Sequence, residues 1–229
     1  MTGQRPQGQK IRSFVRRSGR TTPSQARALK ELWPVFGIDF SESELDLDRI
    51  FARKAERVLE IGFGNGDTLV AAALANPELD FIGIEVHEPG IGHCLIKARE
   101  SGVQNLRLCA HDAIEVLQQQ LADGALRRIN LLFPDPWPKK RHHKRRIVQP
   151  SFLELVARKL QRGGSLYIAT DWAEYAQHID AVLQSSGCFD VAESRDHGGD
   201  LPLDRHTTKF EMRGVGQGHR IRDWRLVRR

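Results

Sequence analysis

Short apolar runs alternate with helix-like segments along the chain from residue 57 onward. Runs of four to six apolar residues predict strands that are buried on both faces, because a half-exposed strand would alternate apolar and polar positions. The predicted strands cover residues 57–61, 81–86, 106–113, 129–133 and 164–171. The predicted helices cover residues 68–75, 90–101, 114–124, 150–160 and 173–187. Strands joined in this way by right-handed helical crossovers form a parallel sheet, so we predict an α/β, doubly wound fold.

The pattern changes near the C-terminus. Residues 188–194 (CFDVAES) and 209–215 (KFEMRGV) are two β-like runs, and we see no helix-like segment between them. They predict an antiparallel pair at the edge of the sheet. We therefore expect a mostly parallel, seven-stranded, Rossmann-like sheet with an antiparallel edge, an ending that is typical of methyltransferase-type sheets rather than of dehydrogenases.

Positive charge is concentrated in three regions. Residues 1–30 contain eight Lys or Arg and no acid, residues 139–146 add six, and residues 212–229 have six against one Asp. Because the net charge of the 229 residues is only +6, the remainder of the chain is acidic. This asymmetry favours a polyanionic partner, although charged tails that only maintain solubility are an alternative.

The same charge pattern divides the chain. We predict a basic, flexible N-terminal arm over residues 1–33 and one domain over residues 34–229. A short helix over 24–33 is expected to end at Pro34, because proline interrupts helical hydrogen bonding.

Composition argues against several classes of protein. No apolar run of about 18 residues is present to span a bilayer, and the first thirty residues lack the apolar centre of a secretory signal. Cys94, Cys109 and Cys188 are widely spaced with no CxxC pair, so we expect reduced thiols rather than disulfides or a zinc site. These features predict a soluble, cytoplasmic protein.

A glycine-rich turn follows the first predicted strand and opens a helix. Gly62, Gly64 and Gly66 let the backbone approach a ligand closely, but their spacing departs from the dinucleotide fingerprint GxGxxG. Glu60 lies at the strand end, where a carboxylate can hold an ammonium group. The turn therefore favours S-adenosylmethionine over NAD.

Two further acids follow the next two strands. Glu85 can accept hydrogen bonds from both ribose hydroxyls, and Asp112 can accept one from the adenine amino group. Each acid alone could be a helix N-cap. Three acids at the carboxyl ends of successive strands, the edge where open α/β sheets bind ligands, favour a site for the methyl donor.

The fourth strand leads into the segment FPDPWPKKRHHKRR at residues 133–146. Its prolines restrict φ and hold Asp135 at the strand tip, although a turn with a capping aspartate is the alternative. A similar Asp/Asn-Pro-Pro-aromatic corner occurs in nucleic-acid methyltransferases that act on amino groups. Trp137 is compatible with stacking on a base or with packing under the loop.

Two other positions suit an RNA substrate. Asp171 ends the fifth strand and can accept hydrogen bonds from the N–H groups along one edge of guanine, or it can cap the helix that follows. His142 and His143 have no third ligand at a suitable spacing, so we interpret them as RNA contacts rather than metal ligands.

Several motifs together resemble the tRNA (guanine-N7)-methyltransferases: FPDPWPKKRHHKRR, LEIGFGNG, RSFVRRSGRTTPSQ, Thr170-Asp171 and TKFEMR. The resemblance runs from about Ile11 to near the C-terminus. It implies that S-adenosylmethionine contacts Glu60, Glu85, Asp112 and Asp135, and that Asp135 is also the catalytic residue. It further implies two other groups of residues. The substrate site would comprise Lys139, Asp171, Thr208, Lys209, Phe210 and Glu211, and the RNA contacts would be Arg141, His142, His143, Lys144, Arg145 and Arg146.

The expected activity is therefore methylation of guanosine N7 in tRNA, in the variable loop by resemblance. Two alternatives stay open: methylation of an exocyclic base amine, and a non-catalytic RNA-binding module on the same fold. We expect tRNA as the partner, with no metal and no membrane association. A monomer and a weak homodimer are both compatible with the sequence.

Overall fold

One eight-stranded sheet organises the computed structural model, in the order β1-β4-β3-β2-β5-β6-β8-β7. The structure describes residues 13–14, 19–198 and 208–229, without the side chains of Lys209 and Phe210. The strands are β1 Gly37–Ile38, β2 Arg57–Ile61, β3 Asp80–Ile84, β4 Leu106–Cys109, β5 Leu126–Leu132, β6 Leu160–Thr170, β7 Phe189–His197 and β8 Ile221–Arg228. The helices are α1 Pro23–Phe36, α2 Leu47–Phe51, α3 Asp67–Ala75, α4 Glu88–Glu100, α5 Ala113–Gln119, α6 Pro150–Lys159, α7 Ala173–Ser185 and α8 Lys209–Gly216, with a 3₁₀ helix at Lys140–Arg145.

Helices cover both faces of the sheet, as predicted. Alternate residues of β2 point to opposite faces: Leu59 packs into a core with α5, α6 and α7, whereas Val58 packs into a second core with α1, α3 and α4. β1 to β6 pair in parallel, while β8 pairs antiparallel to both β6 and β7. The doubly wound α/β fold with an antiparallel edge is confirmed. Chain order reverses between β2 and β5, and this reversal creates a crevice at the carboxyl ends of the strands.

The expected partner strand at the edge was wrong. KFEMRGV forms α8 rather than a strand, because Thr208 and Glu211 form a capping box that starts a helix. The Thr208 hydroxyl accepts a hydrogen bond from Glu211 N at 3.0 Å, and Glu211 Oε2 accepts one from Thr208 N at 3.3 Å. The strand that pairs with β7 is β8, whose Trp224 is 1% exposed.

Two other expectations need correction. The helix predicted over 24–33 is present, but it continues through Pro34 to Phe36. Proline has no N–H to donate to the carbonyl one turn before it, but Pro34 is exposed, so solvent can bind that carbonyl. Burial of Phe36 favours extension of the helix beyond the proline. The sheet has eight strands rather than the expected seven, because it includes β1. This strand pairs with β4 but has only two residues, too few for a recognisable pattern.

The division between an arm and a domain stays a prediction. Residues 1–12 and 15–18 lie outside the described part of the chain. Of the described residues before position 34, those of α1 pack against α4, and Ala28 and Leu32 are buried there. Among the described residues, no helix is long and apolar enough to cross a membrane.

An ion pair stabilises the start of β3, at the end of the strand that is far from the crevice. Asp80 is fully buried, and Arg53 donates to its Oδ1 from Nε at 2.8 Å. Arg53 also donates to the carbonyls of Pro77 and Leu79 at 2.8 and 2.9 Å. The guanidinium therefore compensates a buried charge and two backbone acceptors at once.

We predict that Arg53→Ala lowers the free energy of unfolding by about 3 kcal/mol, because it removes the arginine that is hydrogen-bonded to a buried carboxylate. Urea denaturation measures the change. Arg162→Ala, which removes an exposed arginine from β6, is the control and should change stability by less than about 0.5 kcal/mol. Equal effects of the two substitutions would contradict the proposed importance of the pair.

Candidate active site

A cavity of about 540 Å³ lies at the carboxyl ends of β2, β3 and β5. Its volume falls within the range of small-molecule and cofactor sites. The predicted site residues that line it are Glu60, Gly62, Gly64, Gly66, Glu85, Asp135 and Thr208. The crevice therefore brings the predicted donor-binding turn and the proline corner to one place.

The glycine turn between β2 and α3 is shaped by backbone conformation and close packing. All three glycines have positive φ, in the left-handed region that side chains disfavour. A Cβ on Gly66 would lie 2.3 Å from Cys94 Sγ, so α3 and α4 can approach only with glycine here. Burial, with the negative charge of Glu60, raises the pKa of Cys94 to about 12, and the thiol therefore serves as a neutral packing group.

Glu85 joins this turn to the end of β3. Its Oε2 accepts a hydrogen bond from Gly64 N at 2.9 Å, while Oε1 accepts from Val86 N and His87 N at 2.7 and 3.0 Å. Oε1 already accepts two hydrogen bonds, whereas Oε2 accepts one and keeps a second lone-pair position for a ligand hydroxyl. Glu85 thus both fixes the turn and lines the cavity.

Asp112 lies beside the cavity rather than in its lining, which includes both of its neighbours, His111 and Ala113. Asp112 is the N-cap of α5 and accepts a hydrogen bond from Ile114 N at 2.9 Å. Asp112 therefore is an N-cap, and its contact with adenine stays a prediction. The His111 ring stacks on Phe40 with centroids 3.7 Å apart, and its Nε2 lies 2.7 Å from Glu115 Oε2. Sequence reasoning did not single out His111 as a lining residue, because a lone His after a strand has no distinctive pattern.

The proline corner after β5 is a strained turn that presents Asp135 to the cavity. Phe133 and Trp137, on either side of Asp135, have φ of 52° and 46°. Such left-handed residues other than glycine cost about 1–3 kcal/mol each and persist only where surrounding contacts enforce them. One such contact is the hydrogen bond from Phe133 N to the Ala169 carbonyl in β6, at 2.8 Å.

Trp137 packs within the loop and contacts the N-terminal segment. The guanidinium of Arg145 lies 4.6 Å from the ring centroid, and His142 meets the ring edge-on at 5.7 Å. Trp137 Nε1 donates to the Ser13 carbonyl at 3.1 Å. These contacts favour the packing interpretation of Trp137.

Ser13 and its neighbour Phe14 line the cavity. The N-terminal segment also approaches the cavity at Gly19, where a Cβ would lie 2.7 Å from His87 Nε2. The composition of this segment favoured a polyanionic partner, and nothing in it indicates contact with a cofactor pocket. In the structure, Ser13 and Phe14 also form part of the cavity wall.

Four of the predicted substrate residues, Thr208 to Glu211, lie at the start of α8. Thr208 lines the cavity, together with Arg213, which sequence reasoning did not select. Glu211 is 1% exposed and belongs to the capping box, and the side chains of Lys209 and Phe210 lie outside the described part of the structure.

Asp171 lies beneath α8, outside the cavity lining. Its carboxylate is packed against Gly214, where a Cβ would lie 3.1 Å from Oδ2, and His219 Nδ1 lies 3.4 Å from the same oxygen. The N-cap of α7 is Trp172 and has no side-chain hydrogen bond, so Asp171 does not cap this helix. About a third of the Asp171 side chain remains exposed to solvent.

The basic block forms the 3₁₀ helix Lys140–Arg145, with Lys139 as its N-cap residue. Lys139, Arg141 and Lys144 are exposed, whereas Arg146 is 3% exposed. Partial desolvation and nearby cations, Arg141 first, lower the pKa of His142 below its usual value of 6.5, so this ring is neutral at pH 7. Among the described residues, no group of three His, Cys, Asp or Glu side chains is arranged to hold a metal ion.

Comparison with known proteins agrees with this geometry. A family described as putative methyltransferase matches residues 54–224. A tRNA (guanine-N(7)-)-methyltransferase of Nitrosococcus oceani is 50% identical over 226 residues, covering 99% of this chain and 94% of the relative. A protein of the same name from Escherichia coli K12 is 53% identical over 215 residues, covering 93% of this chain and 90% of the relative.

A solved structure supports the fold. A mutant of the 16S rRNA (adenine(1408)-N(1))-methyltransferase from Catenulisporales acidiphilia, solved with cosubstrate SAM, superposes with a TM-score of 0.58 at 20% identity, over 81% of this chain and 92% of that one. This likeness establishes a shared architecture. On the strength of half-identity over nearly the whole length, the chain belongs to the tRNA (guanine-N(7)-)-methyltransferase family.

Proposed function

We propose that the protein transfers the methyl group of S-adenosylmethionine to N7 of a guanosine in tRNA, in the variable loop. The observation that carries this proposal is a single cavity. The glycine turn with Glu60 and Glu85 lines one part of it, and the Asp135 corner lines another. The names of relatives that are about half identical to this chain agree with it.

The residues around the glycine turn suit S-adenosylmethionine. The turn leaves open space above Gly62, where no atom lies within 4 Å of a built Cβ. Glu60 would hold the ammonium group and Glu85 a ribose hydroxyl, while Asp112 would accept a hydrogen bond from the adenine amino group at the cavity edge. When bound, S-adenosylmethionine supplies a methyl group on a sulfonium, and loss of that methyl group leaves a neutral thioether.

Asp135 would act through position and charge rather than as a base. Guanine N7 has an in-plane lone pair and no proton, so its attack on the methyl carbon requires no proton transfer. The guanine ring becomes cationic as the new bond forms, and a fixed carboxylate stabilises that developing charge. Alignment of the two reactants supplies much of the remaining acceleration.

The groups near α8 would select guanine. Asp171 would accept hydrogen bonds from the ring and amino N–H groups of guanine, which adenine does not offer on that edge. Lys139 and Thr208 to Glu211 would complete the substrate site. For Glu211 we propose an indirect part, because its carboxylate belongs to the capping box that positions Thr208.

The exposed cations of the 3₁₀ helix, Arg141 and Lys144, would bind the phosphate backbone of tRNA near the target base. His142, His143 and Arg145 would contact RNA at the edge of that surface. The basic arm over residues 1–33 would extend the RNA contact. With tRNA as substrate, we propose that the protein acts in the cytoplasm.

Incubation with labelled S-adenosylmethionine and unmodified bulk tRNA, followed by nucleoside identification, tests the function. We expect label in 7-methylguanosine, at a site that reduction and aniline cleave. Label in an N2-methyl or N6-methyl nucleoside would identify an exocyclic-amine methyltransferase instead. Tight tRNA binding without S-adenosylmethionine uptake would identify a non-catalytic RNA-binding module.

We predict that Asp135→Ala reduces the single-turnover rate by about 100-fold or more, because the developing cation loses its stabilising charge. Thermal unfolding and the tRNA dissociation constant should stay close to wild type, since Asp135 is exposed. Asp135→Asn separates charge from shape and should also be slow. Near-normal turnover by folded Asp135→Ala would remove this residue from the mechanism.

For RNA binding, we predict that Arg141→Gln with Lys144→Gln flattens the log–log salt dependence of the tRNA dissociation constant by about 0.9 for each duplex phosphate that the variant no longer binds. Filter binding at several salt concentrations and pH 7.5 measures the slope. His142→Gln is the matched control and should leave it unchanged, because the lowered pKa of His142 keeps the ring neutral. An unchanged slope in the double variant would make the block a solubilising surface.

The position of Phe14 predicts a role for the N-terminal segment in cofactor binding. Phe14→Ala should raise the S-adenosylmethionine dissociation constant about 10-fold, because the variant loses part of an apolar wall. Isothermal titration calorimetry measures this constant, with the exposed Arg20→Ala variant as control. If only the tRNA dissociation constant changed in Phe14→Ala, the segment would serve RNA alone.

A further inference from the structure

Arg146 differs from the rest of the basic block in its burial. It is the residue that ends the 3₁₀ helix, and it is 3% exposed, whereas Arg141 and Lys144 are exposed. A buried arginine without partners would be costly, so its contacts indicate its purpose. Little of its surface is available to an RNA backbone.

The guanidinium of Arg146 connects the proline corner to α7. Nε donates to the Pro136 carbonyl at 2.9 Å, and Nη2 lies 3.3 Å from Glu174 Oε1. Nη2 also lies 3.1 Å from His143 Nε2. The fixed fork of an arginine can make such bonds in different directions at once, which an ammonium group cannot reproduce.

An aromatic ring packs against this cation from α7. The guanidinium carbon of Arg146 lies 5.1 Å from the ring centroid of Tyr175, which is fully buried. Burial raises the pKa of Tyr175 to about 12, so the phenol is neutral, and its hydroxyl accepts a hydrogen bond from Val148 N at 3.3 Å. The segment after the basic block is therefore attached to α7 at two neighbouring positions.

These contacts lie between two proposed functional residues. Pro136 directly follows Asp135, while Glu174 lies in the first turn of α7, three residues after Asp171. The corner also contains the left-handed Phe133 and Trp137, which need surrounding contacts to persist.

Resting on the function proposed above, we infer that Arg146 is a positioning residue for methyl transfer rather than an RNA contact. Its bond to the Pro136 carbonyl holds Asp135 at the cavity, and its contact with Glu174 sets that corner relative to the element carrying Asp171. A displacement of about 1 Å at a reacting centre can cost about 100-fold in rate. Arg146 therefore affects the chemical step more than it affects binding.

The test compares Arg146→Lys, which keeps the charge but loses the fork, with Arg146→Gln. Single-turnover rates at saturating S-adenosylmethionine and tRNA are measured together with the salt dependence of tRNA binding. We expect at least about a 10-fold lower rate in both variants, with cofactor affinity and salt slope unchanged. Arg162→Lys, an exposed substitution on β6, is the activity control, and Arg141→Gln is the comparison for a flattened slope.

Two results would overturn the inference: a normal rate in Arg146→Lys, or a salt slope in Arg146→Gln that flattens as much as in Arg141→Gln. If Arg146→Gln does not fold, Glu174→Gln gives the same test, because the Glu174 side chain is 52% exposed and tolerates substitution. It should lower the single-turnover rate without changing the salt slope, and a normal rate in this variant would also count against the inference.

The wild-type protein in the same assays separates this inference from the proposed function. If the wild type forms no 7-methylguanosine, the proposed function fails, and the positioning role fails with it. If the wild type forms 7-methylguanosine while Arg146→Lys is equally fast, only the positioning role fails.

Discussion

The position of Asp135 depends on one constraint, the reversal of the backbone between Phe133 and Trp137 at the end of β5. Two residues other than glycine adopt left-handed conformations there, a local cost of a few kcal/mol that the surroundings must offset. The Ala169 carbonyl in β6 accepts a hydrogen bond from Phe133 N, and Arg146 Nε donates one to the Pro136 carbonyl. Strain and anchoring contacts together keep the carboxylate at the crevice. Side chains elsewhere in the loop can then serve RNA without moving it.

A second set of contacts fixes the opposite side of the cavity. Glu85 receives three backbone hydrogen bonds and thereby ties the glycine turn to the end of β3. Because β2 pairs with both β3 and β5, the turn and the Asp135 corner belong to neighbouring strands of a single sheet. A methyl transfer to a nucleophile without a proton needs mainly this kind of alignment. A rigid scaffold is therefore suited to the proposed chemistry.

Much of the fold follows from the sequence, because buried parallel strands leave apolar runs that local inspection recognises. The site residues on strand ends follow as well, since parallel strands deliver their carboxyl ends to one edge. The sequence-based predictions were wrong where a local pattern is compatible with two structures. KFEMRGV has an acceptable strand pattern, and only the capping box of Thr208 and Glu211 makes it a helix. Arg146 looks like its basic neighbours, and its burial depends on Glu174 and Tyr175, which are distant in sequence. The contact of Ser13 with Trp137 spans 124 positions, beyond any local signal.

The central claim is that one cavity holds the methyl donor and the guanine, with Asp135 between them. A crystal structure with S-adenosylhomocysteine and a substrate tRNA tests it most directly, through the distances from guanine N7 to the sulfur and to the Asp135 carboxylate. We expect the base inside the cavity, its N7 directed at the sulfur, Asp135 in contact with the base or the donor, and Arg146 still bound to the Pro136 carbonyl. A guanine bound outside the cavity, or an Asp135 that contacts neither reactant, would contradict the account.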